Sequence, residues 1–258
     1  MRLGLSSASF YGRLETEDGA AHVRDFPVDA CEVFLETYSE YTADFGRTVR
    51  QRLGELHCTS VHPKGTQFEP DLFGRSARQA EDALRLFGGV CEAGAALGAS
   101  YYVFHGPGNA RNPVPPDRIN ALEERFGRMQ EAASRCGVRI LWENVSWCSV
   151  RSVEHVQAAR RLLPGIGFVL DVKQALRGGE DPLRLMEAMG EDLCHVHVLD
   201  WDGAAECLPG EGVTDWPLFF RRLRSIGYDG AVILEPYERQ ARDEEALRRI
   251  LLYLRSLM

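Results

Sequence analysis

No apolar run in this sequence approaches the ~18 residues that a membrane-spanning helix needs. Its start, Met1-Arg2-Leu3-Gly4-Leu5, is too short an apolar stretch for a secretory leader. Basic charge is scarce as well: 30 Lys and Arg against 38 Asp and Glu give a net −8. Such a surface repels a polyanion, which argues against nucleic acid as a partner. The seven cysteines form an odd set without a CxxC spacing, so neither a structural zinc site nor a disulfide framework is expected. There is no GxGxxG or GxxxxGKS/T phosphate loop, no lipidation signal, no low-complexity tract and no linker. These absences leave a soluble, cytoplasmic, single-domain protein spanning residues 1–258.

What the sequence does have is rhythm. Eight short β-branched, aromatic or aliphatic segments recur at even intervals: 3–6, 30–35, 59–62, 101–105, 140–143, 167–171, 195–199 and 231–235. Between them lie stretches of helical periodicity. Phe73, Ala77, Ala80, Leu84, Phe87, Cys91 and Ala95 step by four or three, as do Ile119, Leu122, Phe126, Met129 and Ala133. Asp181-Pro182 reads as an N-cap followed by a first-turn proline, and Gly98, Gly137 and Gly227 as helix exits. The Pro- and Asn-rich stretch 109–116 reads as a loop. Strand then helix, eight times in one domain, predicts an α/β fold, a single (β/α)8 TIM barrel.

A barrel of this kind carries its chemistry at the carboxyl-terminal mouth of its strands. Here those ends read His62-Pro63, His105-Gly106, Trp142-Glu143-Asn144, Asp171-Val172-Lys173, His195-Val196-His197 and Glu235-Pro236. Strand alternation allows Glu143, Asp171, His197 and Glu235 all to face inward, together with Leu141, Val169, His195 and Ile233. Three buried carboxylates and an imidazole are costly unless something positive sits among them. The expected occupant is one divalent metal held by Glu143, Asp171, His197 and Glu235; Mn²⁺ or Mg²⁺ suits this set best, with Co²⁺, Fe²⁺ and Zn²⁺ as alternatives.

Around that centre, His62, His105, Lys173, Trp142 and Asn144 are the candidate substrate contacts. All but Asn144 have a plainer reading: His62 and His105 as satisfied core histidines, Lys173 as a neutraliser of the carboxylates, Trp142, like Trp147, as packing. His195 reads as a deeper structural hydrogen-bonder, His22 and His155 as surface helix positions. Lys64, Arg111 and Lys173 are the cations available should the substrate carry phosphate.

Five motifs occur in order: Trp142-Glu143-Asn144, Leu170-Asp171, His197-Val198-Leu199-Asp200, Leu208-Pro209-Gly210-Glu211-Gly212, and Gly227-Tyr228-Asp229-Gly230 followed by Leu234-Glu235. Together they resemble the xylose isomerase-like TIM-barrel superfamily, which holds sugar isomerases, ketose 3-epimerases, hydroxypyruvate isomerase, inosose dehydratase and endonuclease IV. The resemblance implies that Glu143 and Glu235 are an acid/base pair working through a metal-stabilised enediolate. It implies a small sugar or keto-sugar as substrate, and a homodimer or homotetramer.

Two departures stand out. Asp171 is followed by Val172-Lys173-Gln174, without the usual histidine, and Asp200-Trp201-Asp202-Gly203 lacks the usual substrate-gripping arginine. A metal-dependent lyase or dehydratase on a sugar-like polyol, or a non-catalytic sugar-binding barrel, are the alternatives. DNA repair of the endonuclease IV type, which needs further ligands, is disfavoured.

Overall fold

A computed structural model describes residues 1–108, 123–237 and 239–258. Arg111, the loop 109–116 and the helical positions Ile119 and Leu122 lie outside the described residues. Seven parallel strands come first: β1 (Arg2–Ser6), β2 (Ala30–Leu35), β3 (His57–Pro63), β4 (Tyr101–Phe104), β5 (Arg139–Glu143), β6 (Gly167–Asp171) and β7 (Leu193–Val198). A short antiparallel hairpin, β8 (Asp200–Trp201) with β9 (Glu206–Cys207), follows, and β10 (Ala231–Leu234) pairs with both β7 and β1 to close the barrel. The sequence predicts eight barrel strands, and eight form.

Helices wrap the outside. They are α1 (Thr16–Val23), α2 (Ala43–Leu53), α3 (Glu69–Leu72), α4 (Ala77–Leu97), α5 (Glu123–Arg135), α6 (Val153–Leu162), α7 (Val172–Arg177), α8 (Pro182–Met189), α9 (Trp216–Ser225) and α10 (Glu244–Leu257). The capping signals account for several boundaries. Asp181 accepts from the Leu183 amide as N-cap of α8, and Gly98 leaves α4 in the left-handed region at φ 80°. Phe73 falls before α4, because Ser76 caps that helix and starts it at Ala77.

The main hydrophobic core lies between the strands and the helices; Phe87, Phe126, Trp142, Phe168, Trp216 and Phe219 are buried there. Inside the barrel, Val103, Leu141 and Val169 form a smaller cluster of their own, as alternation requires of residues two places before His105, Glu143 and Asp171. Gly4 makes room for the inward Ile233: a Cβ there would collide with Ile233 and with the Ala30 carbonyl. Two histidines differ from expectation. His155 is buried on α6 beside Ser152, and His22 is only partly exposed, lodged between Asp25 and Glu244 against Phe10 and Phe26. A helix packed on a barrel buries one face, and both residues sit nearer that face than their polarity suggests.

Candidate active site

The strand ends converge. Glu143 closes β5 and Asp171 closes β6; Asp171 lies in direct register with His197 of β7, and Glu235 follows β10 at once. One donor atom from each of these four residues lies within 4.8 Å of all the others. All four are at most 2% exposed. Neighbouring backbone aims them: the Asp171 carboxylate caps α7, one oxygen accepting from the Gln174 amide at 2.7 Å while the other stays turned to the cluster. Asn144 stitches β5 to β6, its side chain donating to the Asp171 carbonyl (2.9 Å) and accepting from the Asp171 amide (2.8 Å).

Imidazoles and one ammonium ring these carboxylates. His197 Nδ1 is 2.8 Å from Glu143 Oε1 and 3.6 Å from Glu235 Oε2. His105 Nε2 reaches Glu143 Oε2 at 2.9 Å, and His62 Nε2 stands 3.8 Å from Glu143 and 3.9 Å from Glu235. Lys173 Nζ lies 3.8 Å from Asp171 and 3.9 Å from Glu235, over the Tyr237 ring. Burial opposes the charged form of Glu143, yet hydrogen bonds from His105 and His197 hold its carboxyl well below the usual range. Asp171 lacks such bonds to imidazoles; burial, reinforced by Glu143 and Glu235 and only partly offset by Lys173, pushes it up to about 7. His62 resists its own burial through Glu143, Glu235 and Glu32 and rises to about 9.

Trp142 and Asn144 are placed apart from the pocket. The alternation that turns Glu143 inward turns Trp142 outward, where it is fully buried, stacked on Phe126 and donating to the His105 carbonyl. Asn144 spends its amide on the Asp171 backbone. Gln174, standing where the superfamily's histidine would be, instead accepts from the amide and hydroxyl of Ser146, tying down the loop after β5. His62, His105 and Lys173 do line the cavity, with Phe34, Trp147 and Tyr237 as its walls. Its volume of about 240 Å³ sits below the roughly 300–1,000 Å³ of pockets for drug-sized ligands. A small metabolite fits that size.

Sequence reasoning missed three participants. Glu32, wholly buried in β2, accepts from His195, His197 and Ser60 beneath the site. Glu69 on α3 accepts from the Tyr102 hydroxyl and the His105 amide. Tyr237 donates to Glu235 Oε1 at 3.3 Å. Only Glu32 carried a signal, a carboxylate in the middle of the apolar run Ala30-Cys31-Glu32-Val33-Phe34-Leu35.

The xylose isomerase-like TIM-barrel model matches residues 20–257. The chain belongs to that family. Among solved structures, this family member is similar to a D-allulose 3-epimerase from Methylomonas sp. in complex with D-allulose, with TM-score 0.80, 16% identity, and 100% of this chain and 97% of that one covered. A 3-keto-D-glucoside 4-epimerase from E. coli gives TM-score 0.79 and 17% identity, with 99% of each chain covered. A zinc-bound IOLI protein gives TM-score 0.76 and 17% identity over 100% and 96%. At such identities the likeness is one of fold. In sequence, 120 residues are 28% identical to a 3-dehydroshikimate dehydratase of Pseudomonas putida, covering 41% of this chain but only 19% of that protein's length. The family member's own donor set, three carboxylates and one imidazole delivered by four strands into one buried spot, is of the kind that could hold a divalent cation.

Proposed function

We propose that the protein is a divalent-metal-dependent isomerase or epimerase of a small, uncharged keto-sugar, with Glu143 and Glu235 as its proton-transfer pair. The observation that carries this reading is the convergence of Glu143, Asp171, His197 and Glu235 within 4.8 Å. These four would hold the cation, which supplies positive charge next to a substrate carbonyl and so eases proton removal from the neighbouring carbon.

The remaining work falls to side chains. Glu143 would remove a proton and Glu235, whose Oε1 accepts from the Tyr237 hydroxyl, would return one. His62, His105 and Lys173 present N–H groups to substrate hydroxyls, and Phe34 and Trp147 wall off bulk water. Both lysines of the described pocket are already engaged, Lys64 by the Tyr11 hydroxyl at 2.6 Å and Lys173 by Asp171 and Glu235. The Lys173 charge is thereby balanced by carboxylates, which favours a neutral sugar over a phosphorylated one.

Glu143→Gln and Glu235→Gln are each expected to lower turnover about 10²–10⁴-fold while the protein remains folded. Keto-sugars incubated in D₂O should gain deuterium at the carbon beside the carbonyl with the wild type only. Metal content is measured alongside, because either change also removes a charge from the cation's site. Full activity in both variants would refute the pair.

The similarity to the dehydratase favours a second reading, in which proton removal is followed by loss of a β-hydroxyl as water. An ultraviolet-absorbing enone product, without deuterated starting material, would select it.

A further inference from the structure

Beneath the four-residue cluster lies a polar plug that the proton-transfer pair does not use. Glu32 is completely buried, and Oε2 alone takes three donors: Ser60 Oγ at 2.7 Å, His197 Nε2 at 3.0 Å and His195 Nε2 at 3.2 Å. Oε1 is approached by Ser6 Oγ at 3.4 Å. No lysine or arginine contacts this carboxylate among the described residues; its charge is answered by imidazoles. An ionised carboxylate only accepts, so both histidines present N–H at Nε2. His197 Nδ1, the nitrogen aimed at Glu143 and Glu235, donates to Glu143 in this structure; a cation replacing that proton would find the Nδ1 lone pair while Nε2–H stays on Glu32. A residue serving only to fill the barrel would need no charge, and burying one is expensive.

We propose that Glu32 is a positioning residue for the metal site: it fixes the ring and tautomer of His197 and strengthens Nδ1 as a donor to the cation. The inference rests on the divalent-metal reading above. Glu32 does not line the pocket, so it acts through His197 and not on substrate. Carboxylates in this relation to a ligand histidine are worth roughly 10–100-fold in metal affinity.

The experiment titrates chelator-stripped full-length protein with Mn²⁺ alone by calorimetry, for wild type, E32Q and S60A. Glu32→Gln is expected to weaken binding roughly 10–100-fold. Ser60→Ala, which removes another donor from the same carboxylate, should stay within about threefold of wild type. Equal losses in both, or an E32Q affinity within threefold of wild type, would mean that Glu32 is structural. Imidazole ¹H–¹⁵N spectra of the zinc-loaded wild type need no variant: protonated Nε2 with zinc on Nδ1 supports the assignment, and zinc on Nε2 overturns it. A wild type that binds neither ion overturns the metal reading itself, an outcome distinct from binding that ignores Glu32.

Discussion

Lys173 illustrates how finely charge is balanced at single residues. Its ammonium is buried between Asp171 and Glu235, and those carboxylates, with Glu206 and Glu143 beyond them, raise its pKa against the effect of burial. Lys173→Met should therefore destabilise chelator-treated protein by about 3 kcal/mol, since it leaves buried carboxylates short of a partner. The same change should tighten Mn²⁺ binding, because a competing positive charge has gone; melting curves and calorimetry read the two effects separately. Asp171 ionises near 7 in the fold, so protons and cations compete for it. Metal affinity is expected to rise between pH 6 and 8, with proton release on binding at pH 7, visible as calorimetric heats that depend on the buffer. At this scale the sequence was partly legible. Glu143, Asp171, His197 and Glu235 were readable because they end strands, whereas Glu32 sits mid-strand, where a charge means nothing until the opposite wall of the barrel is known. Trp142 misleads for a related reason: its neighbour's parity, not its own chemistry, decides which way it faces.

Among elements, the hairpin of β8 and β9 depends on one side chain. The buried Asp200 carboxylate accepts from the amides of Trp201, Gly210 and Thr214, the Thr214 hydroxyl and Trp216 Nε1. A Cβ at Gly212 would strike that carboxylate. The hairpin carries Glu206 to the pocket edge. Asp200→Ala is expected to cost about 3 kcal/mol through orphaned donors and to speed amide exchange across residues 200–216. Protection in the barrel strands should persist. The Leu208–Gly212 motif was recognisable in sequence, but the strands beside it were not, because two-residue strands have no period to detect. The start of α8 was readable from Asp181-Pro182, but α7 escaped for a similar reason: it is six residues long and capped by a site residue. The long elements, α4 and the barrel strands, were legible from alternation, periodicity and caps.

Taken whole, the molecule puts its apolar core outside the barrel and an ionised network inside it. A cation binding only the folded form should add about 2.7 kcal/mol at a hundred times its dissociation constant, or roughly 5–10 °C in melting temperature for a chain of this size. Scanning calorimetry with Mn²⁺ against EDTA checks this; identical curves would speak against a metal site. Closure of eight strands was readable from their count and spacing, since few architectures accommodate that repeat.

The buried plug also bears on how the chain finds its register. Its members come from β1 (Ser6), β2 (Glu32), β3 (Ser60) and β7 (His195 and His197). A one-residue slip of β2 would swing Glu32 into the oily layer under the helices and take the carboxylate acceptor from Nε2 of both His195 and His197. Misthreaded barrels are thus penalised at their centre, and the network proofreads the assembly that its own construction requires.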